Sequence, residues 1–123
     1  MENHPYSEFL NIVVTSADPE KAEGYLKFTK ELTDHLGHMT GGAYNSLGDA
    51  VAGACARATG ALYVTQGCSL QYYVSTEEED GILLAKASVR HRGSRSCIIA
   101  VELVHEDGVV AADGQFTYAK IQG

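Results

Sequence analysis

Thr40-Gly41-Gly42-Ala43-Tyr44-Asn45-Ser46-Leu47-Gly48-Asp49-Ala50-Val51-Ala52-Gly53 is the stretch that decides the fold. Thr40 suits an N-cap, because its side-chain oxygen accepts a bond from one of the first helical N–H groups. Gly60, after Thr59, supplies a C′ stop. The span predicts a helix of about 18 residues, roughly 27 Å long. Asp49 and Arg57 are its only charged residues. A helix so poor in charge is expected to be buried nearly all round, and its alanines and glycines let a sheet wrap close to it. Its first N–H groups lack helical partners and attract negative charge. Glycine there lets another molecule approach the backbone.

The flanking sequence supplies that sheet. His4–Leu10 reads as a short helical turn, Asn11–Thr15 as a β-branched strand, Ser16–Glu20 as a turn and Tyr25–Thr29 as a second strand. Thr33–Thr40 is a polar loop. Four strands follow the helix. Val64–Val74 is expected to place Val64, Cys68, Leu70, Tyr72 and Val74 on one face. Leu83, Ala85, Ala87, Val89 and His91 share a face of the next strand, and Cys97, Ile99, Val101 and Leu103 a face of the third. The last runs from Val109 to Lys120 after a Glu106-Asp107-Gly108 turn. Glu77-Glu78-Glu79-Asp80, ending at Gly81, is expected to be a solvated turn. The short links favour hairpins and meanders. The fold class is therefore α+β: one domain over residues 1–123, with a curved antiparallel sheet of about six strands wrapped around one long central helix.

Size and charge bound the function. A chain of 123 residues can bury a sufficient core without a disulfide or metal staple. A net charge of −7 argues against nucleic acid as a partner. No segment has the run of about 20 apolar residues that a membrane span needs. Met1-Glu2-Asn3-His4-Pro5 lacks the pattern of a secretory leader, so a cytoplasmic location is expected. Three cysteines without a close-spaced motif suggest free thiols, and the neighbours of Cys55 and Cys97 suggest small buried hydrophobes. His35 and His38 lack a third ligand at usable spacing, so no metal is expected.

The arrangement resembles the hot-dog fold, and the helix start resembles the phenylacetate-pathway (PaaI-like) branch of acyl-CoA thioesterases in the 4-hydroxybenzoyl-CoA thioesterase superfamily. That branch reads Asn-x-x-Gly-x-x-His-Gly-Gly, with a carboxylate seven residues after the second Gly. Here the stretch is Asp34-His35-Leu36-Gly37-His38-Met39-Thr40-Gly41-Gly42, then Asp49. Thr40 stands where the family has His, and Asp34 where it has Asn. Thr65-Gln66-Gly67-Cys68-Ser69-Leu70-Gln71-Tyr72 is similar to the family strand that opens on Thr or Ser, and Arg92-Gly93-Ser94-Arg95 to the turn near the coenzyme A tail. The resemblance implies a thioester hydrolase acting on an acyl-CoA, aryl acyl groups included. It implies that Asp34 and Thr65 orient water or thioester, that Thr40 and Gly42 shape the binding site at the helix start, and that Arg92, Gly93, Ser94 and Arg95 contact coenzyme A. No separate cofactor is expected, coenzyme A being part of the substrate. A second carboxylate at Asp34 is expected to bring like charge toward Asp49 and raise the pKa of one of them.

Thioester hydrolysis needs a nucleophile or activated water and a donor for the developing oxyanion. The Gly41 N–H suits the carbonyl oxygen, and Asp49 suits either direct attack or general-base activation of water. Eight residues of helix separate them, about 12 Å along the axis. One thioester cannot easily meet both in one chain. Two antiparallel helices related by a twofold axis solve this, so an obligate homodimer is expected, alone or as a dimer of dimers. Other roles stay open. Thr65 reads equally as a plain strand residue, and Arg92 and Arg95 as solvated turn charges. The alternative function is a non-catalytic acyl-CoA-binding hot-dog module. A dehydratase, which pairs an Asp with a His five residues later, fits poorly because Ala54 stands there.

Overall fold

The structure, a computed structural model, describes residues 11–122; the turn expected over His4–Leu10 lies outside the described residues. The elements are β1 (Ile12–Ala17), β2 (Lys21–Lys27), α1 (Gly41–Arg57), β3 (Leu62–Tyr72), β4 (Ile82–Arg92), β5 (Ser96–His105) and β6 (Val110–Gln122). Short 3₁₀ turns cover Lys30–Leu32 and Glu78–Asp80. The strands form one sheet in the order β1-β2-β4-β5-β6-β3, antiparallel throughout, and α1 packs against it as a hot-dog domain.

Local chemistry sets the boundaries. Thr40 has extended backbone angles and its side chain accepts from Ala43 N at 3.3 Å, so α1 starts at Gly41. At the other end Gly60 takes φ +91° and its N–H donates to Arg57 O at 3.0 Å. The β1–β2 turn is tighter than expected. Asp18 Oδ1 accepts from Glu20 N at 2.7 Å and Lys21 N at 2.9 Å, so β1 continues to Ala17 and β2 begins at Lys21 rather than Tyr25. Those same backbone bonds hold the Asp18 carboxyl below its ordinary pKa.

The meander β4-β5-β6 and the hairpin β1–β2 are as read from the short links. The link from β3 to β4 is not a hairpin. β3 pairs only with β6, at the sheet edge, and residues 73–81 carry the chain back to the middle of the sheet beside β2.

Leu47, Val51, Ala52 and Cys55 of α1 are fully buried against Leu83, Ile99, Leu103 and Phe116 of the sheet. A fully buried Leu or Phe side chain contributes about 1.5–3 kcal/mol. Gly48 permits this approach, because a Cβ there would sit 2.8 Å from Phe116 Cε1. The helix is not buried all round. Ala43, Tyr44, Leu47, Gly48 and Val51 are covered, whereas Asn45, Ser46, Asp49 and Ala50 remain part-exposed. A single sheet covers one side of a helix and leaves the other open.

Two bulges correct the expected strand faces. In β3 the register skips from Thr65↔Tyr118 to Gly67↔Thr117. Thr65 therefore meets α1 before the bulge, and Cys68 meets it after, through Asn45 Nδ2 at 3.4 Å. Val64 lies on the opposite face from Cys68 and Leu70, since a one-residue slip reverses a strand's phase. Val74 lies beyond the strand. In β4 the register skips Arg90; His91 is exposed and Arg92 turns toward the helix instead. Cys55 and Cys97 are buried, as expected, and Cys68 is exposed.

Candidate functional site

Asp49 sits on the part-exposed side of α1 with one carboxylate oxygen fixed. Its Oδ1 accepts from Thr65 Oγ1 at 2.8 Å and from Tyr118 Oη at 2.8 Å. Thr65 is brought there by the β3 bulge. Tyr118 comes from the neighbouring strand β6, paired directly with Thr65. No bond reaches Oδ2 among the described residues, so that oxygen faces outward with its lone pairs available. Tyr118 is fully buried, and burial, reinforced by the Asp49 charge, pushes its hydroxyl far above the ordinary tyrosine range. It therefore stays a proton donor to Asp49.

Tyr118 is a site residue that the sequence reading missed. The signal was present: β6 alternates Ala112, Gly114, Phe116, Tyr118 on its inward face, and a buried tyrosine needs a partner for its hydroxyl. Asp49 is the acidic side chain of α1.

The start of α1 is open. The Thr40 N–H donates to Leu32 O at 2.8 Å and the Ala43 N–H is capped by Thr40. The Gly41 and Gly42 N–H groups find no partner among the described residues. Neither glycine takes a positive φ, and an added Cβ would meet nothing nearer than Tyr72 Oη at 3.5 Å. Neither conformation nor packing within the chain requires glycine here. What the two glycines preserve is room above two free donors at the positive end of a helix dipole. Eight helical residues, about 12 Å of axis, separate this end from Asp49.

Asp34 shapes the loop before the helix. Its Oδ1 accepts from Leu36 N at 2.8 Å and His38 N at 3.2 Å, closing the loop before the helix. These backbone donors hold its carboxyl below the ordinary range. The expected upward shift from like charge is corrected: two N–H groups stabilise the carboxylate. His38 Nδ1 pairs with Glu77 Oε1 at 2.8 Å, tying that loop to the segment after β3. The acidic run is thus partly engaged rather than simply solvated. Among the described residues no group of three His, Cys, Asp or Glu is placed to hold a metal ion.

Arg92 is spent on the far end of α1. Its Nη1 donates to Ala56 O at 3.2 Å and Tyr63 Oη at 3.4 Å, and its Nη2 to Pro19 O at 2.8 Å and Cys55 O at 3.2 Å. It caps the carbonyl end of the helix, where positive charge is favoured. Ser94 and Arg95 are exposed at the β4–β5 turn, and the Gly93 N–H closes that turn on Ser96 O at 2.8 Å.

A cavity of about 350 Å³ lies beside Gly41, lined by Met39, Tyr44, Tyr72, Tyr73, Val74 and Ser75. Tyr72 and Tyr73 are both exposed, so neither packs in the core as one of an adjacent strand pair usually does. A larger groove of about 640 Å³, with Lys21, Lys86 and Glu102 in its wall, contains neither Asp49 nor Gly41.

The fold is similar to those of several known proteins. AziG from S. sahachiroi is 26% identical, with 99% of this chain and 100% of that chain covered and a TM-score of 0.94. The E. coli PaaI protein from the phenylacetic acid degradation operon is 22% identical, with 98% and 87% covered and a TM-score of 0.91. A hypothetical thioesterase from Streptococcus pneumoniae, solved with coenzyme A, is 19% identical, with 91% and 87% covered and a TM-score of 0.85. No curated protein matches the chain. The family model described as the thioesterase superfamily matches residues 36–112, which span the end of the loop before the helix, all of α1, β3, β4 and β5, and the first residues of β6. The chain belongs to the thioesterase superfamily.

Proposed function

We propose that this protein is an acyl-CoA thioesterase that hydrolyses the thioester to free acid and coenzyme A at sites shared between two copies of the chain. The observation that carries this reading is Asp49: one oxygen held by Thr65 and Tyr118, the other free, on a helix whose start offers unpaired N–H groups. In this reading the Gly41 N–H of one copy receives the thioester carbonyl oxygen and Asp49 of the other attacks the carbon or activates water. Thr65 orients Asp49. The separation of about 12 Å within one helix supports sharing the site across a twofold axis. The exposed edge of β3, with Leu62, Val64 and Tyr72 uncovered, supports a partner there.

Arg95 and Ser94 are the exposed groups of the β4–β5 turn and suit the anionic end of coenzyme A. That turn lies at the carbonyl end of α1, roughly 24 Å from the same chain's Gly41. In an antiparallel pair it approaches the partner copy's helix start. Arg92 and Asp34 act through the scaffold here, one capping the helix and the other closing its entry loop.

The test is thiol release from a panel of acyl-CoA substrates by wild type and Asp49→Asn. Asn keeps an acceptor for Thr65 and Tyr118, so fold and assembly should persist while kcat falls about 10²- to 10⁴-fold. Activity that survives in a well-folded Asp49→Asn protein removes Asp49 from the mechanism. Tight acyl-CoA binding with no turnover in wild type makes the chain a binding module instead.

A further inference from the structure

The cavity beside Gly41 has a wall held from behind by buried polar groups that the thioester chemistry leaves unused. Residues 73–81 pass the helix start on their way from β3 to β4. Tyr73, Val74 and Ser75 face the cavity, and the next residue, Thr76, is fully buried. Thr76 Oγ1 accepts from Tyr44 Oη at 2.7 Å and stands 3.0 Å from Nε2 of His105, which is 6% exposed at the end of β5. On its other side His105 Nδ1 faces Asp80 Oδ1 at 3.6 Å. Asp80 is itself anchored, its Oδ2 accepting from Glu77 N at 2.7 Å.

One assignment of protons follows the shortest contacts of this row, with Val74 O a second, longer acceptor for the Tyr44 hydroxyl at 3.5 Å. Tyr44 donates to Thr76, the single Thr76 proton goes to His105 Nε2, and the His105 proton on Nδ1 faces Asp80. Tyr44 is therefore pinned at its hydroxyl. Its ring meets Tyr72 edge-on, with centroids 5.4 Å apart at 61°. The Tyr73 hydroxyl is also committed, donating to Asp113 Oδ1 at 2.6 Å. The Tyr72 hydroxyl donates to Gly41 O at 3.5 Å, so all three tyrosines around the cavity have their hydroxyls engaged and present ring surface.

We propose that Thr76 and His105 are positioning residues for acyl-group selection: through Tyr44 they fix an aromatic wall beside Gly41 that favours a flat, ring-bearing acyl group over a short one. The proposal rests on the reading that the Gly41 amide receives the thioester carbonyl, since the acyl group then enters this cavity. Neither residue touches the thioester. Removing the Thr76 hydroxyl leaves His105 Nε2 without its partner in a buried place and the Tyr44 hydroxyl with only the longer contact to Val74 O at 3.5 Å, and the wall shifts in response.

Calorimetric titration with two hydrolysis-resistant thioethers that both carry a ketone, phenacyl-CoA and acetonyl-CoA, tests this without depending on turnover. Wild type should bind the phenacyl compound more tightly. Thr76→Val should weaken phenacyl binding about tenfold and acetonyl binding less than about twofold, the loss matching one or two buried hydrogen bonds. Thr76→Ser, which keeps the hydroxyl, should recover most of the difference. Tyr44→Phe gives a second reading if Thr76→Val folds poorly: it removes the pinned hydroxyl but keeps the Thr76–His105 bond, and should lower the phenacyl preference by a smaller factor. Equal weakening of both probes, no change in either, or no phenacyl preference in wild type overturns the proposal. Selective binding in a wild type without hydrolysis overturns the thioesterase reading and leaves this one standing.

Discussion

Two inactive variants should restore activity to each other if the site is shared between chains. The first is Asp49→Asn. The second is Gly41→Pro, which deletes the amide proton at the first helical position. Proline is tolerated there because that N–H has no helical partner, and Thr40 before it already has the extended angles that a residue preceding proline prefers, φ −70° and ψ 152°. An added Cβ meets nothing closer than 3.5 Å, so the helix start should keep its shape.

Removing one oxyanion donor costs about 10²- to 10³-fold in kcat, and removing a general base about 10²- to 10⁴-fold. Each parent should therefore retain about 1% of wild-type activity or less. Consider a dimer of one Gly41→Pro chain and one Asp49→Asn chain. One of its sites combines both defects. The other has an intact Gly41 from the Asp49→Asn chain and an intact Asp49 from the Gly41→Pro chain. Random pairing makes half the dimers mixed, so an equal mixture should regain about a quarter of wild-type activity per chain. Co-expression with two affinity tags, followed by thiol release on the doubly tagged fraction, reads this directly. The doubly tagged dimers should show about half of wild-type activity. If they are as inactive as the parents, amide and carboxylate act within one chain, and the argument from helix length fails.

Two further outcomes follow from the scaffold. Arg92→Met should lower stability by about 2 kcal/mol, through loss of charge-assisted bonds to helix carbonyls, with KM for acyl-CoA nearly unchanged; Arg95→Ala should do the reverse, and urea unfolding beside substrate saturation curves separates them. Stability should also fall on the alkaline side. Burial pushes the Cys55 thiol up to about 11 from 9.0, so between those values the unfolded chain has released a proton that the folded chain retains. Ionisation then favours unfolding, and the loss grows from about pH 9 and completes near pH 11, worth about 3 kcal/mol from this group. Cys97, Tyr44 and Tyr118 are shifted upward too and act in the same direction. A urea midpoint that stays flat from about pH 8 to about pH 10.5 would refute this.

The features legible in the sequence were those set by local chemistry. Thr40 before Gly41-Gly42 and Gly60 after Thr59 mark helix ends because capping involves only neighbouring residues. Leu83, Ala85 and Ala87 reveal a strand face because alternation is a property of one strand. The bulges at Gln66 and Arg90 were hidden, since a bulge is defined by the partner strand's register. Their consequences reached the site: one turns Thr65 toward Asp49, the other turns Arg92 into the helix end. Tyr118 was hidden for a related reason. Its partner lies 69 positions away, and only the packing of α1 on the sheet brings the two together.

The helix composition is incomplete as a guide to one chain and informative about two. Lack of charge implies burial on all sides, yet Asn45, Ser46, Asp49 and Ala50 stand part-exposed. The neighbouring edge strand β3 is in the same position, with 11 residues, apolar side chains uncovered and one edge unpaired. Long apolar edges are normally shielded, and an uncharged helix face normally has something packed on it. In the proposed homodimer one event answers both. Antiparallel helices cover each other's open side, and the β3 edges gain a partner. The same geometry carries the partner's Gly41 toward Asp49. Shielding the scaffold and completing the chemistry then become one requirement, which explains why a lone Asp is placed on a helix face that a single chain leaves half open.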